Sequence, residues 1–209
     1  MKIHITRLIF LSLSLYGCYT SIKDDKYQFL SYLGLYLSVI TMFAGLLKRF
    51  VCKKMFEHIH RSLVCVSLPI NSTMFLLYYW PILFHDGNQL KRMKLYSKGS
   101  CMSTFADLCQ HLAPEIGVFC EIFDVEVIGC KYQRCFLVLY GIIYLLFCIK
   151  MSGVKGIWPY SILEQKNALF QIGFYLAVLL LSIVIYELMV LFSKKKAVEE
   201  QRRHKNKED

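Results

Sequence analysis

Apolar residues recur along this chain in runs long enough to cross a bilayer, and the polar residues between them mark where each run stops. Leu8 to Tyr16, preceded by Lys2 and Arg7, predicts a first helix within Met1 to Tyr19. The same pattern fits a signal peptide with a small-residue exit at Gly17-Cys18, and the uncleaved helix is the preferred reading. After the polar link Lys23 to Lys26, a second helix is predicted from Gln28 to Leu47, stopped by Lys48 and Arg49. A third runs from Leu63 to Phe84, with Pro69 and Asn71 inside it and Tyr78, Tyr79 and Trp80 as an aromatic belt at its far end. The basic segment Lys53 to Arg61 ahead of it reads as a solvated loop, and its His58/His60 pair lacks a third metal ligand nearby. A fifth helix is predicted over Cys135 to Met151, and a sixth over Ala168 to Phe192, interrupted near its end by Glu187.

The fourth segment, Met102 to Phe123, is long enough to span but is not uniformly apolar. Thr104, Asp107, Gln110, His111, Pro114, Glu115, Gly117 and Glu121 fall within an arc of roughly 160° on a helical wheel. Phe105, Leu108, Leu112, Ile116 and Phe119 lie opposite. Ionisable groups at membrane depth are costly and usually face a bundle interior, so the polar arc predicts a functional face centred near His111. Pro114 removes the donor that would bond the Gln110 carbonyl and predicts a kink beside that histidine. An amphipathic helix lying on the membrane surface is the bland alternative.

Composition sharpens the fold class. Of 209 residues, 56% are hydrophobic and 15% aromatic, with a mean hydropathy of +0.43. That is too apolar for an ordinary soluble domain, and the expectation is an all-α integral membrane bundle of about six transmembrane helices over residues 1–193, with a charged tail at 194–209. The tail reads as disordered or as a continuation of the last helix into solvent. The net charge of +10 sits mostly between apolar runs and in the tail, which argues against a nucleic-acid partner. Lysine and arginine weight the two termini and the second-to-third link toward one side, so both termini are expected in the cytoplasm. Residues Lys91, Arg92, Lys94 and Lys98 pull the other way. The nine cysteines form no CxxC pair. They read as buried thiols, with Cys52, Cys130 and Cys135 as candidate palmitoylation positions and Cys18 and Cys101 on the side that could be oxidising. The sequon Asn71-Ser72-Thr73 sits too deep for use. No metal or other cofactor is called for.

Three pieces, taken in order, give the chain a resemblance. They are Gln28-Phe29-Leu30-Ser31-Tyr32, then His111 with Glu121 after it, then Gly156-Ile157-Trp158-Pro159-Tyr160 with Leu163-Glu164 and a late Glu187 in the last helix. Together they resemble the androgen-induced and androgen-dependent multi-pass membrane hydrolases that split fatty-acid esters of hydroxy fatty acids. The resemblance implies a nucleophile at Ser31, where that family has threonine, and a catalytic base at His111. It also implies membrane lipids as surroundings, a lipid ester drawn from the bilayer as substrate, and an endoplasmic reticulum or plasma membrane location. The proline of the third piece is shifted by about two places.

The residues can be asked whether they could run that reaction. A serine hydroxyl needs a base within hydrogen-bond reach, and a buried neutral histidine supplies one. Asp107, one turn before His111, is a candidate to orient the ring, and Glu115, one turn after, is the rival; Glu121 and Glu187 are further polar-core candidates. With the second and fourth helices starting on the same side, Ser31 and His111 fall in one leaflet half, under about 10 Å apart in depth. Two other readings stay open. One is a non-catalytic membrane regulator or lipid-binding protein; the other is a transporter using Asp107, His111, Glu115 and Glu187 as an ion path, for which no internal repeat speaks.

Overall fold

The computed structural model describes residues 2–23, 30–51, 53–76, 104–155 and 167–208, and among them every regular element is a helix. The helices are α1 (Lys2–Lys23), α2 (Leu30–Phe50), α3 (Lys53–Met74), α4 (Thr104–Glu121), α5 (Lys131–Lys155) and α6 (Ala168–Glu208). Local sequence explains several ends. Asn167 caps α6 by accepting the Phe170 N–H at 2.8 Å. At the start of α5 the Gln133 side chain reaches back to the Cys130 N–H at 3.2 Å. Lys48 and Arg49 fill the last turn of α2, where cations complement the carbonyl end of the dipole.

Four helices are long and apolar enough to cross a membrane, within His4–Ile22, Tyr32–Phe50, Lys131–Lys150 and Ala168–Lys194. Their outer faces carry large exposed apolar side chains, among them Ile5, Leu8, Ile40, Leu139, Ile143, Leu180 and Leu188. That surface suits acyl chains and not water, so this is a helical membrane protein. The other two helices, α3 and α4, carry the polar positions and lie against the rest.

Helices α1 to α4 form the heart of the bundle. Contacts Arg7–Gly45 and Ser21–Tyr36 set α1 antiparallel to α2, and Gly34–Asn71, Thr41–Ser67 and Gly45–His60 set α2 antiparallel to α3. Gly17 permits the closest approach, because a Cβ there would lie 2.5 Å from the Cys109 carbonyl oxygen of α4. The α5–α6 pair, antiparallel through Arg134–Glu187 and Tyr144–Tyr175, is joined to the rest largely by α3. Cys65, Val66 and Ile70 of α3 share a core there with Leu137, Tyr186 and Met189.

Two expectations need correction. The basic segment Lys53 to Arg61 is helical and opens α3, because its polar residues belong to one exposed face while His60 and Val64 turn inward. It is no solvated loop. The last helix does not stop at Phe192 but continues through the charged tail to Glu208, the second of the two readings of that segment. The aromatic belt Tyr78 to Trp80, the Asp86 to Ser100 link, Cys52, Cys101 and the Gly156 to Glu164 piece lie outside the described residues. Asn71 of the sequon is buried, its amide donating to the Ser67 carbonyl at 2.7 Å.

Candidate functional site

The polar arc of α4 turns inward. Asp107, Gln110 and Glu121 are buried, Pro114 and Gly117 with them, while Phe105, Ile116 and Phe119 are exposed. At about 1.5 Å of rise per residue, however, His111 and Glu121 stand about 15 Å apart along the helix. The arc therefore holds two separate clusters, one near each end of α4.

The first cluster surrounds His111. The Tyr32 hydroxyl, on the first turn of α2, donates to Gln110 Oε1 at 3.1 Å, and Gln110 Nε2 donates to Thr20 Oγ1 of α1 at 2.8 Å. One amide thus ties three helices together. The Tyr32 and His111 rings lie 6.0 Å apart between centroids. Asp107 Oδ1 is 3.8 Å from His111 Nε2, with both side chains almost fully buried. Glu115 turns toward α3 instead, where its Oε1 accepts the Ser72 hydroxyl at 2.6 Å. Of the two carboxylates considered as orienting groups, Asp107 is the one beside the ring. Ser31 lies in the same first turn of α2 as Tyr32, and its side chain is outside the described part of the structure.

The second cluster is ionic. Arg7 grips Glu121 with two donors, Nε to Oε1 at 2.7 Å and Nη2 to Oε2 at 2.5 Å, and reaches Asp124 Oδ2 from Nη2 at 2.5 Å. Its Nη1 donates to the Gly45 carbonyl at 2.9 Å. His60 Nε2 lies 2.8 Å from Glu121 Oε2, and Lys48 Nζ 2.5 Å from Asp124 Oδ2. Arg7, His60 and Glu121 are all 1% exposed or less. Gly45 leaves the room: a Cβ at that position would fall 2.8 Å from His60 Nε2 and 2.9 Å from Arg7 Cζ. Asp124 lies in the turn after α4. Burial alone would push its carboxyl up, but bonds from Lys48 and Arg7 outweigh this and hold it below the ordinary carboxylate range.

His60, Glu121 and Asp124 bring ligand atoms within 4.8 Å of one another, the spacing of a metal site. The guanidinium of Arg7 already faces both carboxylates, and with Lys48 it balances their charge. His60 Nε2, facing the same Glu121 carboxylate, completes the set, so the cluster holds its own cations.

Glu121, a polar-core candidate, is buried in the ionic cluster and stands away from His111. One sequence-based assignment changes. Glu187 is no core residue: it pairs with Arg134 at 2.5 Å on a partly exposed face, the two side chains 39% and 46% accessible. Sequence reasoning missed Arg7, Lys48, His60 and Asp124, and missed Tyr32 and Thr20 beside Gln110. A lone arginine within an apolar helix was the available signal, since such a group needs a partner.

No curated protein and no solved structure matches the chain. The model of the FAR-17a/AIG1-like protein family matches residues 2–194, nearly the whole of an all-helical membrane bundle, and the chain belongs to that family.

Proposed function

We propose that this protein is an integral-membrane esterase that hydrolyses fatty-acid esters of hydroxy fatty acids, with Ser31 as nucleophile and His111 as base. The observation that carries the reading is the meeting of α2 and α4: the residue after Ser31 bonds the residue before His111, through Tyr32 and Gln110. Two segments distant in sequence thereby reach one level of the bundle. Asp107 stands where it can orient the His111 ring and stabilise its protonated form.

In this mechanism Ser31 Oγ attacks the ester carbonyl while His111 takes its proton. The hydroxy fatty acid leaves as an alcohol, receiving that proton, and an acyl group remains on Ser31. Water, activated by His111, then releases the fatty acid and restores the serine. No cofactor is required, and substrate enters sideways from the bilayer. Serine in place of threonine preserves the hydroxyl. The lysine and arginine distribution supports an orientation with both termini in the cytoplasm, in the endoplasmic reticulum or plasma membrane.

The test is hydrolysis of such an ester by the purified protein beside Ser31→Ala. Activity lost with the hydroxyl supports the assignment, and equal hydrolysis by both removes Ser31. A folded wild-type protein that hydrolyses nothing leaves the lipid-binding regulator in front.

A further inference from the structure

A groove of about 540 Å³ opens along the side of the bundle between α3 and α5, with Leu37 of α2 also on its wall. Its volume is within the roughly 300–1,000 Å³ of sites that hold small ligands. It runs from His58, Arg61 and Ser62 near the start of α3 inward to Leu63, Val66 and Phe136. From His58 to Val66 that is about 12 Å along α3.

The two ends differ in chemistry. The inner end is apolar. The outer end has the Arg61 guanidinium and the His58 imidazole, and among the described residues no acidic side chain lines the groove. Lys54, one turn before His58, and Lys131, next in the chain to Cys130 and Tyr132 of the groove wall, are exposed, as is one acidic residue, Glu57. Arg61 Nε is buried and has no hydrogen-bond partner among the described residues. A buried donor left unbonded costs on the order of 1–3 kcal/mol, so an acceptor brought to it is favoured. Elsewhere at this end of the bundle the buried arginine, Arg7, has carboxylates of its own. Arg61 has none.

We infer that this groove binds an anionic glycerophospholipid, its phosphate at Arg61 and one acyl chain along Leu63, Val66 and Phe136. The arrangement is amphipathic in the same sense as the lipid. The cationic end sits beside exposed lysines, where headgroups lie, and the apolar end points toward the bilayer interior. The site is distinct from the His111 cluster, which lies at the other end of α4, and does not depend on ester hydrolysis. Its consequence is a lipid seated against α3, the helix that joins the α5–α6 pair to the rest.

Native mass spectrometry of the full-length protein, with dioleoylphosphatidylserine or dioleoylphosphatidylcholine added separately, tests this. Phosphatidylserine is expected to be retained about fivefold or more over phosphatidylcholine, from one well-placed cation near the surface. Arg61→Gln should bring the two lipids near parity, while Arg134→Gln, which alters a basic residue outside the groove, keeps the preference. Equal retention by the wild type, or an unchanged preference in Arg61→Gln, overturns the proposal. Should Arg61→Gln fail to fold, phosphatidylserine with a photoactivatable acyl terminus gives a second measurement on the wild type. Label on peptides holding Leu63 or Phe136 supports the site, and label confined to α6 overturns it. So does an intact mass with an acyl chain on Cys130 and no phosphatidylserine retained.

Discussion

One helix, α4, carries two polar clusters, and they are built on opposite plans. At its C-terminal end Glu121 is gripped by Arg7 and touched by His60, with Asp124 and Lys48 closing the charge balance. At its N-terminal end a neutral amide, Gln110, joins Tyr32 and Thr20, and the His111 ring stands 3.8 Å from Asp107. A cluster whose carboxylates are all held by cations fixes geometry and has little left to offer a substrate. A cluster built on one amide, with a histidine beside a single carboxylate, is less tightly bolted. On the proposed function, the difference would put stability at one end of the helix and chemistry at the other.

The largest test of that division is on activity. Ser31→Ala and His111→Ala should each lower ester hydrolysis by about 10²- to 10⁴-fold, with the double variant little worse than either, because nucleophile and base act as a unit. Steady-state rates on purified protein measure this, and additive losses would break the pairing. At the other end the effect should be on stability. Arg7→Met strands the Glu121 carboxylate in an apolar interior and is expected to cost about 3–5 kcal/mol. Thermal unfolding in detergent checks the loss, and hydrolysis per folded molecule should be unchanged. An Arg7→Met protein that is fully stable but inactive would exchange the roles of the two clusters.

How much of this was legible in the sequence depended on what surrounds each residue. The apolar runs gave their helices because an apolar stretch in a bilayer has little choice but to close its own hydrogen bonds. The inward turn of α4 was legible for the same reason, since its polar residues shared one face. Lys53 to Arg61 misled because a basic amphipathic turn and a solvated loop have the same composition; what separates them is His60, whose partner Glu121 lies on another helix. Arg7 looked like a flanking charge until its carboxylates came into view from the far end of α4. Tyr32 carried no signal at all, because a tyrosine facing lipid and one bonding a buried amide look alike in a membrane helix. The link between Ser31 and His111 came from the resemblance alone.

Smaller changes sharpen the comparison at the His111 end. Gly17→Ala places a methyl 2.5 Å from the Cys109 carbonyl oxygen, so α1 must move off α4 beside Gln110. The overpacking should cost about 1–3 kcal/mol and loosen the Thr20–Gln110 bond, lowering both melting temperature and activity. Tyr32→Phe removes one neutral hydrogen bond to Gln110 and should cost about 1 kcal/mol in unfolding experiments. If it costs as much as Arg7→Met, the Gln110 cluster is as structural as the ionic one and the contrast fails.

The least effect is expected where a third charge pair stands outside both clusters. Arg134 and Glu187 meet at 2.5 Å with two hydrogen bonds, and the arginine also lies 5.7 Å from the Tyr186 ring centroid, so by geometry alone the pair looks as strong as Arg7 and Glu121. The surroundings decide otherwise. Both side chains are more than a third accessible, so each charge keeps much of its solvation when the partner is removed, and ordering two long side chains offsets much of what the contact contributes. Arg134→Ala and Glu187→Ala should therefore leave the melting temperature of the purified protein unchanged within error. Hydrolysis should be unchanged too, since neither residue approaches His111. A loss matching that of Arg7→Met would mean this face is buried in the membrane-embedded protein, against a neighbour or in the hydrocarbon, and burial would no longer separate the ionic bolt from the rest.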